Sequence, residues 1–347
     1  MSSKLSTVSW VESLSPWPEE FGLDGIRRLL ADLGDPQTRY PAVHVVGSNG
    51  KGTMVRTIEE LLACEGLKVG AYLSPHVRSW SERIRVAGEE ADFERAVERA
   101  RPHAGDATQF EVLTAAALAE FAEASVDVAV VEAGLGGRHD ATNVLDARVV
   151  VLTNVSLEHT DVLGSTREQI AREKLAVAKP GATVVLGEPE WRSLVRDNVV
   201  VAGGAREAAS AFLGRPVERE VDVRLPGRLE WHGDDLWDGA HNAAGSEWLV
   251  RHLPRGRDFV VCASILADKD VDAMLAGLSS AGRTLVATRS SNERALDEKE
   301  LARRAERYFE HVEAVSDPVA AYRRARELGS VLATGSLYLL ADLSKAE

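Results

Sequence analysis

The sequence predicts an α/β protein built on mostly parallel sheets. Short runs rich in β-branched residues alternate with helical stretches along the 347 residues, which is the pattern of strands covered by helices. A glycine-rich turn near residue 50 joins an apolar strand to an amphipathic helix. The alternation starts again after residues 214–230, which mix proline, glycine and charge without a helical stripe. These observations indicate an α/β chain with two domains.

The individual elements follow from the hydrophobic pattern. In the first domain, apolar runs of strand length occupy residues 42–46, 67–73, 126–131, 148–153 and 182–186. Apolar residues recur at helical spacing over residues 53–65, 110–124 and 166–178. In the second domain, strands are predicted at 258–263, 284–288 and 330–334. Strands that alternate with helices in this way are typical of a parallel sheet.

Composition and charge exclude several classes of protein. Hydrophobic residues make up 45% and charged residues 27% of the chain, which is typical of a globular protein, and no apolar run approaches the ~20 residues that span a bilayer. The net charge of −13 provides no general attraction for nucleic acid or anionic lipid. Only two cysteines occur, and the N-terminus lacks a signal sequence. We therefore expect a cytoplasmic, reduced protein with neither nucleic acid nor membrane as a partner.

The strongest chemical signal is the glycine-rich segment 47–53, GSNGKGT, between the first strand and its helix. In such a loop, backbone N–H groups converge on phosphate oxygens and the helix N-terminus adds a positive dipole end. Lys51 would neutralise phosphate charge, and the Thr53 hydroxyl would reach a Mg²⁺ ion. The spacing departs from the usual phosphate-loop pattern, because Gly52 separates Lys51 from Thr53. The segment predicts a nucleoside triphosphate site, with an ordinary glycine-rich turn as the alternative.

Two further clusters follow predicted strands. Glu132 ends the strand VDVAVV and opens the glycine-rich stretch 132–143, and His159 follows the next strand along the chain. In open parallel sheets, residues at the carboxyl ends of the strands face the ligand crevice. Taken alone, the first cluster could be a structural turn and His159 a structural histidine. Because three strand ends deliver Thr53, Glu132 and His159 to one crevice, we expect a shared metal site there.

Together, the residues of this chain resemble the folylpolyglutamate synthase and dihydrofolate synthase family, within the Mur-ligase-like ATP-dependent amide ligases. The resemblance covers nearly the whole chain, in order. It is carried by HVVGSNGKGT (44–53), YLSPHVRSWSERIRV (72–86), FEVLTAAALAEF (110–121), VVEAGLGGRHDATNV (130–144), LEHTDVLGSTREQIAREK (157–174), LPGRLEW (225–231), DGAHN (238–242), LADKD (266–270) and ATGSLYL (333–339).

The resemblance implies a domain organisation and a reaction. It implies a P-loop nucleotide-binding parallel-sheet domain over 1–216, a linker over 217–230, and a smaller Rossmann-like α/β domain, the C-terminal glutamate-ligase domain, over 231–347. The implied reaction is ATP-dependent ligation of L-glutamate to dihydropteroate or to folate polyglutamates through an acyl phosphate. The implied partners are small-molecule substrates only, and the implied state is a monomer.

The resemblance also implies roles for individual residues. The implied catalytic residues are Lys51, Glu132, His159 and Lys174. The implied ATP contacts are Asn49, Gly50, Lys51, Gly52, Thr53, Asn198, Arg228, Asp238 and His241. The implied ligands of two Mg²⁺ ions are Thr53, Ser74, Glu132, His159 and Lys174. The implied acceptor contacts are Thr108, Gln109, Phe110, Glu111, His139, Asp140 and Ala141.

Lys174 is unusual among these ligands because an ammonium group repels a metal ion. In the family that the chain resembles, the matching lysine is often carbamylated, which converts a cation into an oxygen ligand. The resemblance therefore implies a carbamylated Lys174. The alternative is a lysine that pairs with Glu173 or with a phosphate.

Departures from the family pattern leave some points open. Glu158 stands where an aspartate is usual, and the stretch between Arg85 and Phe110 is shorter than in the family. Residues 198–201 have strand propensity although the family places a helix over 198–213, and we follow the family there. A Mur-type ligase acting on a different carboxylate remains an alternative. So does a non-catalytic relative, although such a protein would be expected to have lost Lys51, Glu132 or His159.

Overall fold

Two largely parallel sheets, one in each of two units of the chain, organise the fold. The structure is a computed structural model and describes residues 5–18 and 21–346. The two units divide in sequence between Val223 and Arg224. Both are α/β, which confirms the predicted fold class. In the described chain no helix or strand lies between Leu213 and Glu230, and the predicted domain and linker limits stay predictions.

The first unit contains the larger sheet. Its helices are α1 (Thr7–Ser13), α2 (Asp24–Asp32), α3 (Lys51–Cys64), α4 (Phe93–Ala100), α5 (Gln109–Glu123), α6 (Thr160–Leu163), α7 (Arg167–Leu175) and α8 (Ala205–Leu213). Its strands are β1 (Ala42–Val46), β2 (Val69–Tyr72), β3 (Ile84–Val86), β4 (Glu89–Glu90), β5 (Val128–Glu132), β6 (Ala147–Leu152), β7 (Thr183–Leu186) and β8 (Val199–Ala202).

The strand order of this sheet brings the predicted site segments side by side. The order is β4-β3-β2-β5-β1-β6-β7-β8, and every neighbouring pair from β2 to β8 is parallel, whereas β3 and β4 pair antiparallel. Tyr72 lies opposite Val131 and Val45 opposite Glu132. Because parallel strands end at the same edge, the segments that follow β2, β5, β1 and β6 meet there.

Helices cover both faces of this sheet. Every residue of β1 is buried, in agreement with its continuous β-branched composition. Helix α5 is buried without interruption from Val112 to Phe121, so its alanine-rich sequence reflects close packing on all sides. The Thr108 hydroxyl and the Glu111 carboxylate form a capping box at the start of this helix. The start of α5 is therefore fixed at the sheet edge that carries the site.

The second unit repeats the architecture on a smaller scale. Its elements are β9 (Glu230–His232), β10 (Asp235–Trp237), α9 (Ala243–His252), β11 (Val260–Ala263), α10 (Val271–Leu278), β12 (Thr284–Ala287), α11 (Glu298–Ala305), β13 (His311–Ala314), α12 (Pro318–Leu328), β14 (Val331–Thr334) and α13 (Leu337–Ser344). The strand order is β13-β12-β11-β14-β10-β9, parallel except for β9. Among the described residues, no helix is long and apolar enough to cross a membrane.

One sequence-based expectation about the fold is wrong. A helix was expected over residues 198–213, but residues Val199–Ala202 form β8 and the helix begins only at Ala205. Strand β8 extends the sheet in register with β7, from Thr183 opposite Val199 to Leu186 opposite Ala202. Three consecutive valines favour an extended strand, and pairing with β7 satisfies their backbone groups. Local propensity was the better guide here.

Candidate active site

The phosphate-loop segment connects β1 to α3 at the carboxyl edge of the larger sheet. Gly50 adopts a left-handed conformation with φ of 76° and forms the N-cap of α3. The first helical hydrogen bond is donated by Met54 N–H to the Gly50 carbonyl oxygen, at 2.9 Å. The amides of Lys51, Gly52 and Thr53 therefore precede the helical hydrogen-bond ladder. This is the arrangement in which a helix N-terminus binds an anion.

The loop is fastened to the segment that follows β6. Ser48 N–H donates to the Asn154 carbonyl oxygen at 2.9 Å, and Asn49 N–H donates to Asn154 Oδ1 at 2.9 Å. The Thr153 hydroxyl donates to the Asn49 carbonyl oxygen at 2.8 Å. These bonds fix the first half of the loop. The backbone N–H of Asn49 already donates to Asn154 and is therefore not available to a phosphate oxygen.

Two lysine side chains converge on one carbonyl oxygen. Lys51 Nζ donates to the Gly47 carbonyl oxygen at 3.1 Å, and Lys174 Nζ donates to the same oxygen at 2.9 Å. Lys174 Nζ also donates to Glu158 Oε1 at 2.9 Å. The Lys174 side chain is 2% exposed and that of Glu158 is 9% exposed. The two ammonium groups thus meet at one carbonyl oxygen, and Glu158 pairs with Lys174.

Burial and charge perturb the ionisation of this cluster. Burial disfavours the ionised form of Glu158, but Lys174 and Lys51 outweigh that effect and lower its pKa to about 2. Burial lowers the pKa of Lys174, while Glu158 opposes this shift and Lys51 reinforces it. The carboxylate is therefore firmly ionised, and the lysine is held charged chiefly by its partner. Glu173, which sequence reasoning offered as a partner of Lys174, pairs instead with Arg138, Nε to Oε2 at 3.2 Å.

Glu132 and Ser74 lie together at the same sheet edge. Glu132 is the last residue of β5 and is 4% exposed. Its Oε2 accepts the Ser74 N–H at 3.0 Å. Strand β5 is also bonded to the neighbouring β1 at this point, because Ala133 N–H donates to the Val45 carbonyl oxygen at 3.0 Å. The structure thus brings two of the predicted metal ligands into contact, beside the phosphate loop.

The other predicted ligands come from neighbouring segments. Thr53 is exposed in the first turn of α3, and His159 is half-buried directly after Glu158. His159 has a left-handed backbone, with φ of 46°, at the start of the short helix α6. In residues 5–18 and 21–346, no group of three or more histidine, cysteine, aspartate or glutamate side chains could hold a metal ion. The predicted ligand set relies instead on the hydroxyls of Thr53 and Ser74 and on Lys174.

The first predicted acceptor segment, at the start of α5, packs against the glycine-rich loop that follows β5. The Phe110 ring lies against Gly134, where a Cβ would come within 2.6 Å of its Cζ, and its centroid is 6.1 Å from that of Tyr72. Some of the predicted contacts have structural partners, however. Thr108 donates to Glu111 Oε2 through both its hydroxyl and its N–H, each at 2.8 Å, and Gln109 Nε2 donates to the Val11 carbonyl oxygen at 2.9 Å.

The glycine-rich loop after β5 docks on α7. A Cβ at Gly137 would lie 2.6 Å from the Lys174 carbonyl oxygen, so only glycine permits this approach. Arg138 N–H donates to the Glu173 carbonyl oxygen at 3.1 Å. At the end of the loop, Asp140 and Ala141 are buried whereas His139 is exposed. The loop therefore spans from Glu132 to the helix that carries Lys174.

The predicted ATP contacts of the second unit form a cluster of their own. Asp238 follows β10, is 4% exposed, and accepts N–H bonds from Leu229 at 3.0 Å and Ala240 at 2.9 Å. Burial raises the pKa of Asp238, and the nearby Arg228 opposes that shift. His241 Nδ1 lies 3.0 Å from the Gly239 carbonyl oxygen. Arg228, Asp238 and His241 are therefore brought together within this unit.

The structure does not bring Asn198 to the phosphate loop. Asn198 precedes β8 and lies at the amino end of the parallel strands, at the sheet edge opposite the loop. Its Nδ2 donates to the carbonyl oxygens of Lys179 at 2.7 Å and Ala182 at 2.9 Å. The contact with the ATP base was implied by the family resemblance alone and stays a prediction. In this structure Asn198 fastens the turn that enters β7.

Sequence reasoning missed several residues that shape the site. It treated Glu158 only as a departure from the family pattern, although this residue is the ion partner of Lys174. It also missed Glu82, whose carboxylate accepts N–H bonds from Val77, Arg78 and Ser79 at 2.6 to 2.9 Å and thereby shapes the loop after Ser74. The available signal for Glu158 was its place in the family motif, where an aspartate is usual. No signal of that kind marks Glu82.

Comparison with known proteins decides the family. Residues 45–199 match the Mur ligase middle domain. The dihydrofolate synthase/folylpolyglutamate synthase of Escherichia coli (strain K12) is 32% identical over 337 residues, covering 79% of this chain and 79% of that protein. The chain belongs to the folylpolyglutamate synthase/dihydrofolate synthase family. Members of this family are ATP-dependent carboxylate–amine ligases, and this chain is an enzyme of that type, as its sequence motifs predicted.

Solved structures of family members have the same fold. Escherichia coli FolC in complex with DHPP and ADP superimposes with a TM-score of 0.87 at 27% identity, covering 99% of this chain and 97% of that one. The bifunctional folylpolyglutamate synthase/dihydrofolate synthase of Yersinia pestis, complexed with AMPPNP and Mn ion, gives a TM-score of 0.84 at 27% identity. It covers 99% of this chain and 98% of that one. The Mur-ligase-like fold of the family therefore extends through the whole chain.

The Lys174–Glu158 pair yields a prediction about stability. Replacing one member of a buried ion pair leaves the other charge uncompensated, whereas replacing both is far less harmful. We expect Glu158→Gln to lower the free energy of unfolding by about 3 kcal/mol. The double variant Glu158→Gln/Lys174→Met should recover at least half of that loss. Urea denaturation followed by circular dichroism measures both. Equal stability of wild type and Glu158→Gln would show that the pair is not maintained in solution.

Proposed function

We propose that this protein uses ATP to ligate L-glutamate to dihydropteroate, to folate polyglutamates or to both, releasing ADP and phosphate. The observation that carries the proposal is the glycine-rich loop at the N-terminus of α3, with Lys51 and Lys174 both bonded to its Gly47 carbonyl oxygen, in a chain that belongs to this ligase family. The relatives support the substrates, because one was solved with DHPP and ADP and another with Mn, AMPPNP and L-glutamate.

The phosphate loop supplies the groups that a triphosphate needs. The amides of Lys51, Gly52 and Thr53 precede the helical ladder and can donate to phosphate oxygens. Lys51 can turn from the Gly47 carbonyl oxygen to a phosphate without leaving that oxygen unsatisfied, because Lys174 donates to it as well. The loop can therefore accept the nucleotide with little rearrangement of its backbone.

The chemistry of the neighbouring donors suits a divalent cation. Thr53 and Ser74 offer hydroxyl oxygens and Glu132 a carboxylate, which are the hard ligands that Mg²⁺ prefers, and His159 can add an imidazole. We propose that these residues hold the metal used with ATP. A bound divalent cation supplies positive charge that neutralises the triphosphate. The hydrogen bond from Ser74 N–H orients the Glu132 carboxylate for this task.

The reaction follows from the weakness of a carboxylate as an acyl donor. A carboxylate oxygen of the acceptor attacks the γ-phosphorus, the bond to the bridging oxygen breaks, and ADP leaves. The amine nitrogen of glutamate then attacks the acyl carbon, phosphate leaves, and the nitrogen gives up a proton as the amide forms. Lys51 and the loop amides offset the negative charge of the γ-phosphoryl group during the first transfer. Holding the two reactants in line provides the remaining acceleration.

The proposed function predicts both the product and the effect of removing Lys51. With dihydropteroate or tetrahydrofolate, ADP release should depend on the folate, and mass spectrometry should show the addition of glutamyl units.

We expect Lys51→Ala to lose about 3 kcal/mol of transition-state stabilisation, roughly a hundredfold in kcat/KM, because it removes a preorganised charge from the phosphoryl centre. Lys68→Ala is the matched control, since Lys68 is exposed and donates to the Ala124 carbonyl oxygen.

Three outcomes would contradict this function or its mechanism. ATP turnover that is indifferent to folates would exclude folates as the acceptor. Activity with a muramyl peptide in place of a folate would favour the alternative, a Mur-type ligase for another carboxylate. Full activity of a folded Lys51→Ala variant would remove the loop lysine from the mechanism.

We also propose that Lys174 carries a carbamate in the working enzyme. Carbamylation requires the neutral amine: its nitrogen attacks the carbon of CO₂, an N–C bond forms, one proton is released, and a carboxylate results. Burial favours the neutral amine by lowering the pKa of Lys174. The carbamate would exchange the contact with Glu158 for metal ligation, because two carboxylates repel each other at hydrogen-bonding distance.

Two treatments test the carbamate: removal of CO₂ from the buffer and substitution of Lys174. Activity should fall in rigorously CO₂-depleted buffer and return when bicarbonate is added. Lys174→Ala should lose most activity and recover part of it with short carboxylic acids, which can occupy the vacated position. Carbon-13 NMR of wild type in ¹³CO₂ should show one carbamate that is absent from Lys174→Ala. Near-normal turnover and Mg²⁺ dependence of Lys174→Ala would show that this lysine is structural.

A further inference from the structure

A buried polar chain connects β1 to the end of the glycine-rich loop. His44, in the middle of β1, is 1% exposed, and its Nε2 lies 2.7 Å from the Thr142 hydroxyl oxygen. The Thr142 hydroxyl in turn donates to Asp140 Oδ1. Asp140 Oδ2 accepts the N–H of Leu135 at 2.7 Å, at the other end of the loop. Thr142 is fully buried and Asp140 is 6% exposed, so water does not compete for these bonds.

The hydrogen bonds fix the direction of each proton. Asp140 accepts N–H bonds from Leu135 and from Thr142 in addition to the Thr142 hydroxyl, and these donors favour the ionised carboxylate although burial raises its pKa. Since the hydroxyl proton of Thr142 points to Asp140, the bond to His44 must be donated by the ring. Burial lowers the pKa of His44 to about 3, so the ring is neutral. His44 therefore carries its proton on Nε2.

We propose that His44 and Thr142 are positioning residues that set the glycine-rich loop, through Asp140, against the phosphate loop. This rests on the proposed function and on the acceptor contacts that the family resemblance implies for His139, Asp140 and Ala141. Strand β1 reaches Gly47 only three residues after His44. A bond from His44 to the acceptor loop therefore sets the distance between the acceptor carboxylate and the γ-phosphate. Misplacement by about 1 Å is enough to slow such a transfer on the order of a hundredfold.

The composition of β1 supports a positioning role over a purely structural one. The neighbours Val43 and Val45 show that this strand accepts valine, and a buried imidazole is costly unless its polar atoms are paired. The loop has other anchors, because Arg138 N–H is bonded to the Glu173 carbonyl oxygen and Gly137 packs on Lys174. The connection to His44 is therefore not needed to close the loop. Its distinctive effect is to tie the loop to the strand that leads into the phosphate site.

Paired substitutions at Thr142 separate the hydroxyl from the volume of the side chain. Thr142→Val keeps the shape and removes the hydroxyl, whereas Thr142→Ser keeps the hydroxyl and removes a methyl group. We expect Thr142→Val to raise the KM for the folate, or to lower kcat, by about tenfold, with the KM for ATP changed less than about twofold. Thr142→Ser should stay within about threefold of wild type. Thermal denaturation of both variants monitors folding.

A nitrogen-15 NMR experiment on the holoenzyme tests the connection without relying on activity. In wild type labelled at histidine, His44 should show the Nε2–H tautomer throughout pH 5 to 8, and its signals should change in Thr142→Val but not in Thr142→Ser. An Nδ1–H tautomer or protonation of His44 in this range would overturn the proposal. Equal kinetics of the valine and serine variants, or equal increases in both KM values, would overturn it too. A wild-type enzyme inert towards every folate would instead overturn the proposed function.

Discussion

The site depends on the approach of Gly47 to the strand beside it. Gly47 leaves β1 with φ of 149°, and a Cβ at this position would lie 1.9 Å from Thr153 Oγ1. A side chain here would push the loop away from the segment after β6, to which Ser48 and Asn49 are hydrogen-bonded. It would also shift the carbonyl oxygen on which Lys51 and Lys174 converge. The close contact between Gly47 and Thr153 therefore fixes the position of the loop, and with it the start of α3 and the end of α7 that carries Lys174.

This arrangement concentrates positive charge in an acidic protein. The chain carries a net charge of −13, so long-range attraction does not collect an anionic nucleotide. Lys51 and the N-terminus of α3 place positive charge directly at the loop. Burial strengthens these interactions because little water screens them. The nucleotide is thus attracted by charges placed at the loop itself. The net charge of the rest of the protein can therefore stay negative.

Much of the fold and part of the site could be predicted from the sequence. The β-branched runs predicted β1, β2, β5, β6 and β7 of the larger sheet and β11, β12 and β14 of the smaller one, but not β3, β4, β9, β10 or β13. Parallel strands bring their carboxyl ends to one edge whatever lies between them in sequence. That rule is why Glu132 and the phosphate loop were predicted to be neighbours, as the pairing of Glu132 with Val45 shows. The rule does not apply to Asn198, whose ATP contact was implied by the family resemblance and which lies at the amino end of β8.

The hydrophobic and motif patterns of the sequence could not predict which polar side chains pair with one another. Lys174 and Glu158 are 16 residues apart in sequence, and His44 and Thr142 are 98 apart. The helix and strand periodicities act over a few residues, so they indicate neither contact. Each pair consists of largely buried polar groups. A polar residue can be predicted to be buried only when the residue that hydrogen-bonds to it is known. The sequence could thus indicate which residue types reach the crevice, but not which of them neutralise one another.

Hydrogen exchange tests the central claim most directly, namely that the loop between β1 and α3 holds the triphosphate. The protein is exchanged in deuterated buffer with and without a non-hydrolysable ATP analogue and Mg²⁺, and the amides are followed by mass spectrometry. We predict the strongest slowing in peptides that contain residues 50–53, because their N–H groups become phosphate donors. The Lys51→Ala variant should show much weaker slowing at the same analogue concentration. Unchanged exchange at residues 50–53, with slowing elsewhere in the chain, would contradict the account.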